Sequence, residues 1–188
     1  MKDAIIPSAP EPATTNFARC RVEEVIGIPA ETFFDWYMNE PIENFMLGTL
    51  LVPPITGTEA LPGAQWGEPG AARKIFFKDG TTALERILET DFPNGYSYQP
   101  WAYNNPVRLL SDHAISTMRA VPEDGRTRIV WDYGFHARSS LVLPMLRLFV
   151  TFDWSRNLAN GLSELKKHLD THGTTKRIHE ARQLRSAA

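Results

Sequence analysis

From Ala71 to His136 the chain reads as a series of short strand-like runs whose connections are too brief for anything but antiparallel neighbours. Ala72–Phe77 and Thr81–Glu89 flank Lys78-Asp79-Gly80, a three-residue turn with glycine where a left-handed residue is needed. Asn94-Gly95 turns the chain into an aromatic run from Tyr96 to Tyr103, and His113–Val121 and Thr127–His136 surround the turn from Pro122 to Arg126. A parallel return would need a crossover of about a dozen residues or more, so these runs predict an antiparallel meander.

A sheet of this kind must bury one face, and the sequence offers one large partner for it. Leu141, Met145, Leu148, Phe152, Leu158, Leu162, Leu165 and Leu169 step mostly by three or four, predicting one apolar stripe on a long helix from about Ser139 to Asp170. Pro144 starts or bends that helix. Upstream, Phe17–Ile28 alternates like a strand. Pro29 and Glu31 then open a helix that places Phe33, Trp36 and Tyr37 on one face. A second helical piece is expected from Pro41 through Phe45 to Leu50, stopped by Pro53-Pro54. Up to Gly70 the glycines and prolines then predict loop with at most one strand, near Ile55–Leu61.

With 188 residues, 43% of them hydrophobic, the chain can bury one sizeable core, expected over residues 17–170. Residues 1–16 carry Pro7, Pro10 and Pro12 and read as a flexible tail; residues 171–188, with Lys176, Arg177, Arg182 and Arg185, read as a basic one. A net charge of −2 provides no domain-wide field for nucleic acid. The longest uncharged stretches, Asn44–Thr58 and Phe92–Val107, are broken by proline and polar residues, so no membrane insertion is expected. Met1–Ile6 lacks the apolar run of a secretory signal, which makes the cytoplasm the expected location. Cys20, the single cysteine, is expected as a small packed residue.

The order of elements, together with three local patterns, resembles the helix-grip fold of the START-like or SRPBCC superfamily. The patterns are Ile28-Pro-Ala-Glu-Thr-Phe-Phe-Asp-Trp-Tyr37; Glu68-Pro-Gly-Ala-Ala-Arg73 with Lys78-Asp-Gly80 and Leu84-Glu-Arg-Ile87; and Gly125-Arg-Thr-Arg-Ile-Val-Trp131. They are most similar to the branch named for polyketide cyclases and dehydrases. The resemblance implies an α+β protein in which a curved antiparallel sheet wraps a long C-terminal helix around an apolar cavity. It also implies a partner that is a small hydrophobic or amphipathic molecule of lipid, polyketide or aromatic type. A homodimer is compatible with it. Fold alone does not assign a function.

Alternation within strands nominates the cavity residues. Ile129, Trp131, Tyr133 and Phe135 share a face with Thr127, and Ser116 and Met118 are expected beside them. His113 falls on the opposite parity unless a bulge intervenes. A three-residue turn at Lys78-Asp79-Gly80 sets Arg73 against Glu85 on a face with Ile75, Phe77 and Ile87; another turn length would pair Lys74 with Glu85 instead. Trp101 and Tyr103 either shape a cavity mouth or cap the sheet.

The five histidines show no metal-ligand spacing, and no nucleotide or nucleophile-elbow motif occurs, so no metal or cofactor is expected. Two readings stay open, beside a weaker third in which the resemblance to START-like cochaperones implies a module that docks a partner protein with the basic tail as an accessory contact. One is a binder in which aromatic residues supply buried area and Arg73 with Glu85 orients a polar group. The other is a cyclase or dehydratase in which Glu85, held near Arg73, takes a proton and Tyr133 or His113 stabilises an enolate.

Overall fold

The computed structural model describes residues 7–186, with side chains described for 7–170. Seven strands form one antiparallel sheet: β1 (Phe17–Ile26), β2 (Ile55–Ala60), β3 (Ala72–Phe77), β4 (Thr82–Asp91), β5 (Gly95–Trp101), β6 (Ser111–Glu123) and β7 (Arg126–Ala137). Their order across the sheet is β1-β7-β6-β5-β4-β3-β2. The tight connections predicted from sequence generate the β3-to-β7 run, β2 joins its edge by pairing with β3 after a longer connection, and β1 flanks the other edge by pairing along β7.

Helix α1 (Ala30–Tyr37) follows β1, with Pro29 at its N-cap in extended geometry. It buries Phe33, Phe34 and Tyr37 against the concave face, where Phe33 stacks on Tyr37 and Phe34 meets Tyr96. The second helical piece shrinks to a 3-10 turn at Ile42–Asn44. Beyond it the chain reverses at Gly48. Its φ of +79° is left-handed, and a Cβ there would lie 2.5 Å from the Val52 carbonyl oxygen. The chain folds back at this point, and the Ile55 amide donates to the Met46 carbonyl.

The long terminal helix has two unlike halves. Helix α2 (Leu143–Phe149) begins with Pro144 in its first turn, where a missing N–H costs nothing. One wide π turn, Val150–Trp154, then leads into α3 (Ser155–Ser186). The wide turn breaks the phase of the predicted Leu stripe. Leu158, Leu162, Leu165 and Leu169 are buried, whereas Leu141, Met145, Leu148 and Phe152 are exposed, and Leu146 and Val150 take the inward positions instead. Gly161 lets α3 seat closely: a Cβ would sit 2.8 Å from Met46 Sδ. The backbone stays helical through to Ser186, so residues 171–186 of the segment expected as a tail continue α3. The basic side chains of that segment lie outside the described ones.

The N-terminal stretch expected as a loose tail lies, from Pro7 onward, across the convex face of the sheet. Trp101 Nε1 donates to the Pro7 carbonyl at 3.1 Å, Gln99 Nε2 donates to the Pro10 carbonyl at 2.9 Å, and the Ala13 amide donates to His113 Nε2 at 3.4 Å. No helix among the described residues is long and apolar enough to cross a membrane.

Candidate functional site

The concave face is packed solid at one end and hollow at the other. The hollow is a cavity of about 660 Å³ between the sheet, α2 with its π turn, and the loop after the 3-10 turn. That volume is in the range of small-molecule sites.

Strand register determines what reaches it. Ser116 pairs with Tyr133, Met118 with Trp131 and Ala114 with Phe135, which turns Trp131, Tyr133 and Phe135 inward along β7. Arg73 pairs with Glu85 and Ile75 with Ala83, the register of a three-residue turn. Ile75, Phe77 and Glu85 thereby join the cavity wall with Trp131, Tyr133 and Phe135. Tyr103 reaches it by a different route. Ala102 adopts φ +52°, which turns the chain after β5, and Tyr103 donates to the Pro100 carbonyl at 3.2 Å.

The other nominated residues lie elsewhere. Ile87, Met118 and Ile129 share the concave side but belong to the solid core, at 1%, 0% and 0% exposure. Arg73 stands behind Glu85: its Nε and Nη2 both reach Glu85 Oε1, and its guanidinium lies 3.7 Å over the Trp66 ring. With Glu85 only 3% exposed, either charge without the other would be costly. Trp101 is a correction. It pairs with His113 across β5 and β6, shares the convex face and bonds to Pro7.

His113 is corrected as well. A bulge does fall between Ser111 and His113, but it leaves His113 opposite His136, on the convex side. There the Asp112 carboxylate meets both rings, at 2.7 Å from His113 Nδ1 and 2.9 Å from His136 Nδ1, and the imidazoles stack at 4.8 Å. The potential metal-ligating atoms of these three side chains fall within 4.8 Å of one another. Residue spacing could not show this cluster, because two of its members meet only across the β6–β7 pairing. Its groups bond to each other and to Ala13, away from the cavity.

Inside the cavity, a polar lattice holds the aromatic wall in place. Trp131 Nε1 donates to Ser116 Oγ at 2.9 Å and to Tyr98 Oη at 3.2 Å. Burial raises the pKa values of Tyr98, Tyr103 and Tyr133 well above the usual phenol value, so all three remain neutral at ordinary pH. They can donate or accept hydrogen bonds but cannot serve as bases. Burial likewise pushes the Cys20 thiol up to about 12, which fits a packed residue rather than a nucleophile.

Several wall residues were not singled out from sequence. Tyr98 sits two residues from Tyr96 in β5, and the two rings stack at 5.4 Å. Phe149, Trp154 and Asn157 come from the terminal helix, and the Trp154 ring packs on Tyr133 at 4.7 Å and Phe135 at 5.0 Å. The Leu periodicity that identified the helix carries no sign of the π turn that presents them.

The architecture is shared with solved structures at low sequence identity. Ara h 8.0201 matches with a TM-score of 0.57 at 19% identity, over 79% of this chain and 98% of that one. Ginseng major latex-like protein 151 from Panax ginseng matches at 0.61 with 13% identity, over 82% and 98%. The chain has the helix-grip fold. A protein from Thermus thermophilus shares this helix-grip architecture, with a TM-score of 0.61 and 17% identity over 82% of this chain and 98% of that one. No protein-family model and no curated protein matches the chain.

Proposed function

We propose that this helix-grip protein binds a small hydrophobic or amphipathic molecule in the cavity between the sheet and its terminal helix. The observation that carries the reading is the character of the hollow. About 660 Å³ is bounded mainly by Ile75, Phe77, Trp131, Tyr133, Phe135 and Phe149. Leu51, Met145, Leu148 and Phe152 line the same space and are also exposed, so they mark where it opens to solvent. Apolar area that a guest can cover is the main source of affinity in such a site.

The acid–base reading has less to work with. His113 lies on the opposite side of the sheet, and the Tyr133 phenol stays protonated. Glu85 does line the cavity, yet its Oε1 is held by Arg73. As a fixed ion pair it suits orientation of a ligand polar group better than proton abstraction.

Titration with the neutral fluorophore N-phenylnaphthylamine tests the proposal. Emission is expected to rise, shift to the blue and saturate near one probe per chain. Ala83 lies on the cavity wall, so Ala83→Trp should abolish that response while the protein remains folded. Equal probe binding by the two proteins would overturn the assignment.

A further inference from the structure

Two hydrogen-bond donors in the cavity wall are left over. Trp154 Nε1 and Asn157 Nδ2 are buried and have no hydrogen-bond partner among the described residues. Both side chains line the cavity, from positions three apart where the π turn passes into α3. Asn157 is only 2% exposed. A buried donor without a partner is uncommon and costs free energy, so two of them lining one cavity point to an acceptor that the cavity receives. The indole N–H can only donate, whereas the asparagine amide can present either its N–H group or its oxygen.

The charges around the hollow restrict that acceptor further. Asp79, Glu85 and Asp153 line the cavity, and among the described residues no Lys, Arg or His does. The Arg73 guanidinium is committed to Glu85, and Asp153 Oδ2 already accepts from Thr49 Oγ1 at 2.6 Å. A ligand carboxylate would enter an apolar space with three acidic neighbours and no free cation to receive it.

Resting on the ligand-binding reading above, we infer that the cavity selects uncharged guests bearing a hydroxyl or carbonyl oxygen, which accepts a hydrogen bond from Trp154 Nε1 with the Asn157 amide beside it. The oxygen end lies against the terminal helix and the apolar body against Tyr133 and Phe135. Fatty-acid anions are disfavoured against such guests.

Competition against bound N-phenylnaphthylamine tests this with tetradecanone, tetradecanol and tetradecanoate, which differ only in the polar end. The ketone and the alcohol should each displace the probe at concentrations at least about tenfold below that of the carboxylate. Whichever of the two displaces it at lower concentration identifies the preferred oxygen. Trp154→Phe keeps an aromatic ring and removes the donor. It should weaken ketone and alcohol by about threefold to tenfold more than it weakens the probe, which offers no oxygen. Tetradecanoate competing as well as the ketone in the wild type would overturn the inference with no variant needed. So would a Trp154→Phe protein that loses probe and ketone in equal measure, since that would report shape rather than a hydrogen bond. Failure of the wild type to bind the probe at all would remove the ligand-binding reading itself, a result distinct from either of these.

Discussion

Near α1 the concave face of the sheet is closed by side chains, whereas near α2 the same face is left open. At the closed end Phe33, Phe45, Met118, Ile129, Leu162 and Leu165 are all within 1% of complete burial. Gly161 lies so close to Met46 there that a Cβ would sit 2.8 Å from Met46 Sδ and push that side chain aside. At the open end the rings are just as large, but Tyr133, Phe135, Phe149 and Trp154 pack tilted or edge-on against one another along the wall instead of filling the space. The contrast separates two uses of apolar residues. A core filled to crystal-like density stabilises the fold, and a rigid aromatic wall supported from behind keeps a hollow from collapsing.

Truncation at the closed end should therefore have the largest effect on stability. Leu165→Ala is expected to cost about 3 kcal/mol, because the neighbours cannot relax into the gap. Denaturant unfolding would measure it, and a cost below about 1 kcal/mol would mean that this end is looser than described. An intermediate effect comes from enlarging the same residue type at both ends. Ala120 pairs with Ile129 in the closed core, and Ala83 pairs with Ile75 on the cavity wall. Ala120→Leu should cost about 1–3 kcal/mol through overpacking, and Ala83→Leu less than about 1 kcal/mol, because its added atoms enter open volume. Equal costs at the two positions would erase the distinction between a filled and a hollow end.

The sequence made the architecture legible because turns and periodicities are local. Lys78-Asp79-Gly80 determined the Arg73–Glu85 register, and the alternation in β7 separated Trp131, Tyr133 and Phe135 from Asp132 and His136. Parity fails wherever the backbone leaves regular geometry. Ala102, at positive φ, sends Tyr103 to the cavity while Trp101 remains on the convex face, although the two are only two residues apart and would share a side in an unbroken strand. The π turn does the same to the terminal helix, exposing Met145, Leu148 and Phe152 and bringing Trp154 and Asn157 to the wall. Neither feature has a side-chain signature that separates it from ordinary strand or helix. The ordering of the segment from Pro7 was also hidden, since its partners Gln99, Trp101 and His113 lie far away in the chain.

The convex face offers the smallest effect, and one that the concave face should not share. Burial lowers the His113 pKa below its ordinary 6.5, although the Asp112 carboxylate opposes that shift. Above pH 6.5 the imidazole is neutral whether the chain is folded or unfolded, so it contributes no pH dependence. As the pH falls below 6.5, the unfolded chain takes up the proton more readily than the folded one, and stability declines. Asp112, held below its ordinary 3.8 mainly by the two histidines against the opposing effect of burial, adds a further loss only in stronger acid. Between those limits His113→Gln, which removes the titrating ring, should flatten the fall in urea midpoint measured from about pH 7.5 to about pH 5. Ligand affinity in the cavity should not change with that substitution, because the sheet lies between the two sites. A wild type and variant that lose stability in parallel over this range would show that His113 is not the group whose burial opposes acid.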